Sequence, residues 1–327
     1  MIFISVGNLT AGGTGKTPVV EKLARALQAR GRKVAILSRG YRKKEEPWLQ
    51  RAFLGKITPP RVVSDGKHVL LDSEMGGDEP YMLANNLPGV VVVVDKDRVK
   101  AGSYAINKFG CDTLVLDDGF QYLKLRHSLE LVLVDKKNPF GNGNLLPRGI
   151  LREQVRNIKR ADFVFITKSN GGSDALRGEI RRHNPSAEIV ECNHAPRFLR
   201  DVYSGEQRGL EWLRGKKIMA LSGIAVPQGF EDFLKNHGAI LVRVKRYADH
   251  HRYAAKEILA AINRAADAGA DALITTEKDA VRFPNLKSTA VPVYYLRVDI
   301  EILDGAGIFE NILRRVCEKK PRETLSP

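Results

Sequence analysis

Six apolar runs set the architecture of the first half of this chain: "IFISVGN", "KVAILSRG", "VVVVDKD", "TLVLDDGF", "LELVLVD" and "ADFVFITK". Their apolar residues are continuous. A strand with one wet face would alternate; a continuous run is buried on both faces. The intervening segments are helical or loop-like. In "VVEKLARALQARG", Val19, Val20, Leu23, Ala24 and Leu27 share one helical face and Gly31 stops the helix. The pattern predicts an α/β fold, a mostly parallel sheet covered by helices on both sides. Each run ends in polar or glycine residues at its C-terminal edge, where open α/β sheets bind ligands.

The rhythm breaks at 194–215, "HAPRFLRDVYSGEQRGLEWLRG", a polar, turn-rich stretch that reads as a connector. It then restarts with strands at "KKIMALSGI", "AILVRVKRY", "DALITTEKD" and "VPVYYLRVDI". The intervening helices fall at "PQGFEDFLKNHG" and "AAKEILAAINRAADAGA". The expected division is a P-loop domain over 1–195, a linker over 196–213 and a smaller α/β domain over 214–327. A chain of 327 residues accommodates two such domains. A surface excursion is expected at 43–66 and a frayed tail from 318 on.

No run of 18 apolar residues exists to span a membrane. The N-terminus runs straight into the first strand and does not read as a signal peptide. Three cysteines, Cys111, Cys192 and Cys317, lack metal or disulfide spacing, which suits a reducing cytoplasm.

Between the first strand and the first helix lies "TAGGTGKTP" (10–18). It is a G-x-x-x-x-G-K-[ST] loop with Thr10 in place of the first glycine. Gly12, Gly13 and Gly15 let backbone N–H groups turn onto phosphate oxygens, and the helix N-terminus adds its dipole. Lys16 would reach the β and γ phosphates and Thr17 would hold Mg²⁺. The loop Thr10, Ala11, Gly12, Gly13, Thr14, Gly15, Lys16 and Thr17 is the candidate nucleotide site. ParA/MinD-like loops also lack the first glycine, but they carry lysine where Ala11 stands.

Other motifs surround this loop. "TLVLDDGFQ" ends in Asp117 and Asp118, carboxylates placed to hold Mg²⁺ or simply to cap Gly119. "GGDEP" puts Asp78 and Glu79 at a helix start, either as caps or as a base for an acceptor hydroxyl. "YADHHRY" sets Asp249 beside His250 and His251, where a carboxylate fixes an imidazole tautomer. Zinc is disfavoured, because no further ligands stand at metal-site spacing. "LPRGILRE" offers Arg148, Arg152 and Glu153 to phosphate or metal.

Together these stretches resemble the tetraacyldisaccharide 4′-kinase family of the lipid A pathway. The matching segments are "SVGNLTAGGTGKTP", "SRGY", "GDEP", "VVVDKDR", "LVLDDGFQ", "LPRGILRE", "LSGIAVPQGFEDFL", "YADHHRY" and "TTEKDAVR". The resemblance implies an ATP- and Mg²⁺-dependent kinase. Its acceptor would be the 4′-hydroxyl of an acylated glucosamine disaccharide 1-phosphate, and its two α/β/α domains would be joined by a short two-stranded linker. It implies Asp78 as catalytic base and His250 as its partner. Thr14, Lys16 and Thr17 match loop residues, Asp117 and Asp118 the acidic pair, and Glu153 a metal-associated glutamate. Threonine at position 10 is itself a family trait.

The net charge of +15 would attract a polyanionic small molecule, a nucleic acid or an anionic membrane. No basic block is interleaved with aromatics, so nucleic acid is not the expected partner. The resemblance places a monomer in the cytoplasm of a Gram-negative-type bacterium, peripheral to the inner membrane. Family members usually carry a few dozen residues, with an apolar helix, before the first strand. This sequence opens almost on that strand, and its basic surface is expected to compensate. Two rival readings are a ParA-like nucleotide switch and a noncatalytic lipid-binding homologue.

Overall fold

The computed structural model describes residues 1–40 and 59–318. Tyr41 of "SRGY", most of the excursion expected at 43–66 and the tail after 318 lie outside the described residues. Two compact units are present among the described residues: Met1–His194 with 300–318, and Ala195–Asp299.

The first unit is built on β1 (Ile2–Asn8), β2 (Val34–Ser38), β3 (Arg61–Asp65), β4 (Val91–Val94), β5 (Thr113–Asp117), β6 (Leu129–Asp135), β7 (Phe163–Thr167) and β8 (Glu188–Asp201). Their order is β8-β7-β6-β1-β5-β2-β4-β3. All neighbours pair in parallel except β3, which runs antiparallel to β4. The two faces explain the unbroken apolar runs. In β4, Val92 and Val94 pack on one side with Ile4, Leu23 and Val115. Val91 and Val93 pack on the other with Leu37, Ala101 and Leu114. Each such side chain contributes roughly 1.5–3 kcal/mol on burial.

Helix α1 (Lys16–Ala29) covers the first face with Val19, Val20, Leu23 and Leu27, all buried. Two short helices, α2 (Ser73–Gly76) and α3 (Asp78–Asn86), follow β3, and α4 (Arg98–Phe109) follows β4. Helix α5 is Asp174–His183. The Asp72 carboxylate caps α2 and the Asp97 carboxylate caps α4, each accepting two backbone N–H bonds.

The second unit carries β10 (Lys217–Ser222), β11 (Ile240–Arg246), β12 (Ala272–Thr276) and most of β13 (Val293–Asp304). Their order is β11-β10-β12-β13, all parallel, and β9 (Gln207–Arg208) pairs antiparallel with β8. Helices α6 (Gln228–Asn236), α7 (Ala255–Asp267) and α8 (Glu277–Ala280) flank the strands.

Two boundaries differ from the sequence reading. The expected connector at 194–215 contains much of β8, a 14-residue strand whose burial is intermittent and whose composition is therefore polar. The chain after Asp299 belongs to the first unit, not the second. The reason is helix α9 (Ala306–Glu318), whose Phe309, Ile312, Leu313 and Val316 are buried in the same core as α1 and β1. Strands β8 and β13 are thus the two places where the chain passes between units.

Candidate active site

The phosphate loop leaves β1 and enters α1 through Gly15, whose φ of 83° is left-handed. Thr10 explains the missing glycine. It makes a β-bridge with Leu151, and the N–H of Ala11 donates to the Ile150 carbonyl at 2.6 Å. Thr10 and Ala11 were expected to contact the nucleotide. Instead both are pinned to the 144–152 segment, and the N–H of Ala11 is already used. The cradle begins at Gly12. A Cβ placed on Gly13 meets no atom of the described residues within 4 Å beyond its chain neighbours, so none of their packing requires glycine there. A ligand approaching the backbone would.

Further groups await a ligand. The Thr14 hydroxyl is buried with no hydrogen-bond partner among the described residues. Lys16 Nζ donates to Asn8 Oδ1 at 2.9 Å and lies 3.4 Å from Asp118. Asn8 in turn donates to the Thr10 carbonyl at 2.6 Å. Asn8 was missed as a site residue because an asparagine at a strand end carries no signal of its own.

Asp117 closes β5 beside Lys16. Its carboxylate accepts no hydrogen bond from the described residues. Its pKa is raised to about 6: burial is the main cause, Lys16 opposes it, Asp118 and Glu79 add to it, and Arg98 opposes it. The first turn of α3, which carries Asp78 and Glu79, therefore lies within electrostatic reach of the acidic pair. Asp78 is 8% exposed and begins α3 after Gly77.

Asp118 is placed differently. Burial raises its pKa, but Lys16 and Arg152 outweigh that and hold it below the usual range. Arg152 Nη1 reaches both carboxylate oxygens, at 2.8 and 2.7 Å. Glu153 sits among three partners: Oε1 accepts from Gln121 and Arg160, and Oε2 from Asn157 and Arg160, at 2.8–3.0 Å. These partners hold its pKa down despite burial. Glu153, expected as a metal group, here accepts bonds from Gln121, Asn157 and Arg160 and so orients them. Gln121 passes the effect on by donating to the Asn8 carbonyl at 3.0 Å.

Arg98 is a second residue that went unassigned. It is buried, its guanidinium lies over the Tyr122 ring at 5.2 Å, and burial and Arg39 lower its pKa while Tyr122, Asp118 and Asp117 raise it.

The loop also has a floor. Lys168 Nζ donates to the Gly13 carbonyl and the Thr167 hydroxyl to the Thr14 carbonyl. A cavity of about 600 Å³ opens here, lined by Lys136, Lys137, Lys168, Ser169, Asn170, Asn193 and His194.

In the other unit, the loop after β11 holds Asp249, His250 and His251. His251 has structural contacts: its ring stacks on Tyr247 at 4.6 Å and its Nε2 meets Glu257 at 3.2 Å. His250 takes a left-handed φ of 62° and lies 3.8 Å from Asp249. Among the described residues there is no group of three or more His, Cys, Asp or Glu that could hold a metal ion. A P-loop Mg²⁺ needs no such cluster, because hydroxyl, carboxylate, phosphate and water supply its oxygens. Thr17, at the start of α1, and the unbonded Asp117 are such donors.

Comparison with known proteins identifies the family. Residues 1–318 match the family described as "Tetraacyldisaccharide-1-P 4'-kinase". A tetraacyldisaccharide 4'-kinase of Anaeromyxobacter dehalogenans (strain 2CP-C) is 42% identical over 316 residues, covering 95% of this chain and 80% of that one. The Geobacter sulfurreducens enzyme of the same name is 41% identical over 306 residues, covering 93% and 81%. The crystal structure of LpxK from Aquifex aeolicus, solved in complex with ATP, matches with a TM-score of 0.71 and 28% identity. The match covers 97% of this chain and 89% of that one. With a mostly parallel α/β sheet, a phosphate loop and these relatives over almost its whole length, this chain belongs to the tetraacyldisaccharide 4'-kinase family.

Proposed function

We propose that this protein transfers the γ-phosphoryl group of ATP to the 4′-hydroxyl of an acylated glucosamine disaccharide 1-phosphate. The observation that carries the reading is the cradle at 12–17, with the buried, unbonded Asp117 beside Lys16. The cavity bordered by Lys168 and His194 receives the nucleoside end. Gly12, Gly13, Thr14 and Gly15 surround the phosphates, and Lys16 exchanges Asn8 and Asp118 for phosphate oxygens.

Thr17 and Asp117 would hold Mg²⁺, with Asp118 beside them. Bound there, Mg²⁺ would offset negative charge on the phosphates. Asp78 accepts the proton of the acceptor hydroxyl as its oxygen bonds to the γ-phosphorus and the bond to the ADP oxygen breaks. Lys16 and Arg98 neutralise charge that builds on the phosphoryl oxygens. The family resemblance gives His250, not His251, as the partner of Asp78.

Among the described residues no helix is long and apolar enough to cross a membrane. We infer a peripheral contact with the anionic inner-membrane surface by a monomer. The loop between β6 and β7 supports it. Residues 136–152 include Lys136, Lys137, Arg148 and Arg152 and no acidic residue. Leu145 and Leu146 are exposed there, 43% and 54%.

The test is transfer of labelled γ-phosphate from ATP to purified acyl disaccharide 1-phosphate in detergent. A labelled product that needs Mg²⁺ and the acceptor is expected. ATP hydrolysis indifferent to the acceptor would sink the reading.

A further inference from the structure

We propose that Asp279 is a positioning residue that sets the backbone of His250 for the reaction; the proposal rests on His250 being the partner of Asp78. Asp279 belongs to "TTEKDAVR", the stretch that closes β12 and opens α8. Its carboxylate is fully buried, an arrangement that costs stability unless every lone pair is used. Here they are used. The Gly223 N–H lies 3.0 Å from both oxygens, Tyr253 Oη donates at 2.8 Å and Thr276 Oγ1 at 2.6 Å. Arg282, equally buried, lies 3.2 Å away.

These partners hold the loop that carries His250. The Gly223 carbonyl accepts the His250 N–H at 3.2 Å, so a single residue, Gly223, links Asp279 to the backbone of His250. Ser222, next to it, accepts the N–H of Tyr247 at 2.8 Å. Arg282 Nη1 donates to the His251 carbonyl at 3.0 Å. Tyr253 ends the loop on Asp279 itself. His250 has a left-handed backbone, which a residue with a Cβ adopts only when its surroundings impose it. Gly223 admits no other residue. A Cβ there would lie 2.6 Å from Tyr253 Oη and 3.0 Å from Asp279 Oδ1.

The negative charge matters as much as the shape. An amide at 279 would turn its NH₂ toward a ring of donors, namely Gly223 N–H, Tyr253, Thr276 and Arg282. At least one of them would lose its bond. The Ser222–Gly223 peptide would then lose its anchor, and the Gly223 carbonyl that holds His250 would be less firmly placed.

The experiment uses the full chain with Asp279→Asn, Tyr253→Phe and His250→Ala. Tyr253→Phe removes one donor and keeps the ring packing, so it serves if Asp279→Asn does not fold. Asp279→Asn should lower kcat about tenfold with KM for ATP unchanged, and on His250→Ala it should add less than about twofold. Imidazole resonances of His250 should shift in both Asp279→Asn and Tyr253→Phe, while those of His127 in the other unit stay in place. Effects on kcat that multiply independently, or unmoved His250 resonances in the folded variants, overturn the proposal. Wild-type kcat in His250→Ala would instead remove His250 from the mechanism, and the resonances would still decide whether Asp279 holds it.

Discussion

Lys168 Nζ lies 2.7 Å from the carbonyl oxygen of Gly13, a residue 155 positions earlier in the chain. The same nitrogen pairs with Asp135 at 2.5 Å. The end of β7 therefore fixes the height of the phosphate loop, with Asp135 at the end of β6 aiming the lysine. Lys168→Met should loosen the loop without opening the core. A loss of about 1–2 kcal/mol in ATP binding is expected, tenfold or so in Kd, with kcat less affected. Isothermal titration with ATP checks it, and an unchanged Kd would show the tie to be incidental.

Gly13→Ala separates binding from folding. The added methyl meets no atom of the described residues within 4 Å beyond its chain neighbours, so Tm should stay within about 2 °C. The methyl would stand where phosphate approaches the backbone, so ATP affinity should fall by about tenfold or more. Equal losses in both measurements would mean that the glycine serves the fold.

Asp78→Asn keeps the size and the helix-start position of the side chain while removing its basicity. The rate of γ-phosphate transfer should fall by about 10²–10⁴, with ATP affinity within a few-fold of wild type. Undiminished turnover removes Asp78 from the base role.

The acidic pair makes the protein sensitive to pH. Asp117 titrates near 6 in the fold against an ordinary 3.8. Between these values the folded state binds more protons than the unfolded one, so the stability this group contributes falls as pH rises from about 4 to about 6. Above that range its charge is a burden to the ligand-free fold. Asp117→Asn should therefore raise the stability of the ligand-free protein at pH 7.5, by on the order of 2 kcal/mol. The same variant should lose Mg²⁺-dependent turnover, and wild-type kcat/KM should decline below about pH 6. Denaturation and rate profiles across pH 5–8 read both. A ligand-free variant less stable than wild type at pH 7.5 counts against the account.

Helix α9 tests where the C-terminal residues belong. Leu313 is fully buried against the first unit's core. Leu313→Ala should cost about 2–5 kcal/mol, measured by urea unfolding of the first unit.

The central strands were legible because each is covered on both faces, and burial of that kind leaves an unbroken apolar run. The polar β8 and the short β3 escaped for the opposite reason, since an intermittently wet strand has the composition of a loop. In the candidate site, the residues proposed to meet a ligand through local geometry were readable: Gly13, Lys16 and Asp117 lie in short motifs. Residues that act through a distant partner were not. Lys168 acquires its role only from Gly13, Asn8 only from Lys16, and Arg98 only from the acidic pair. Thr10 and Ala11 show the converse, because motif position suggested a ligand contact and the 144–152 segment had claimed them. Glu153 likewise stands at the right place for an ion, yet Arg160, Gln121 and Asn157 surround it.

The chain enters the 195–299 unit along β8 and leaves it along β13, so both flanking stretches are anchored in the same core. That makes the second unit an insertion and not a tail. A single proteolytic cut beyond a one-linker junction would release a tail. A single cut inside 195–299 leaves two fragments, each still rooted in the sheet of the first unit, one through β8 and the other through α9. Limited proteolysis should therefore yield a nicked species that migrates intact until denatured.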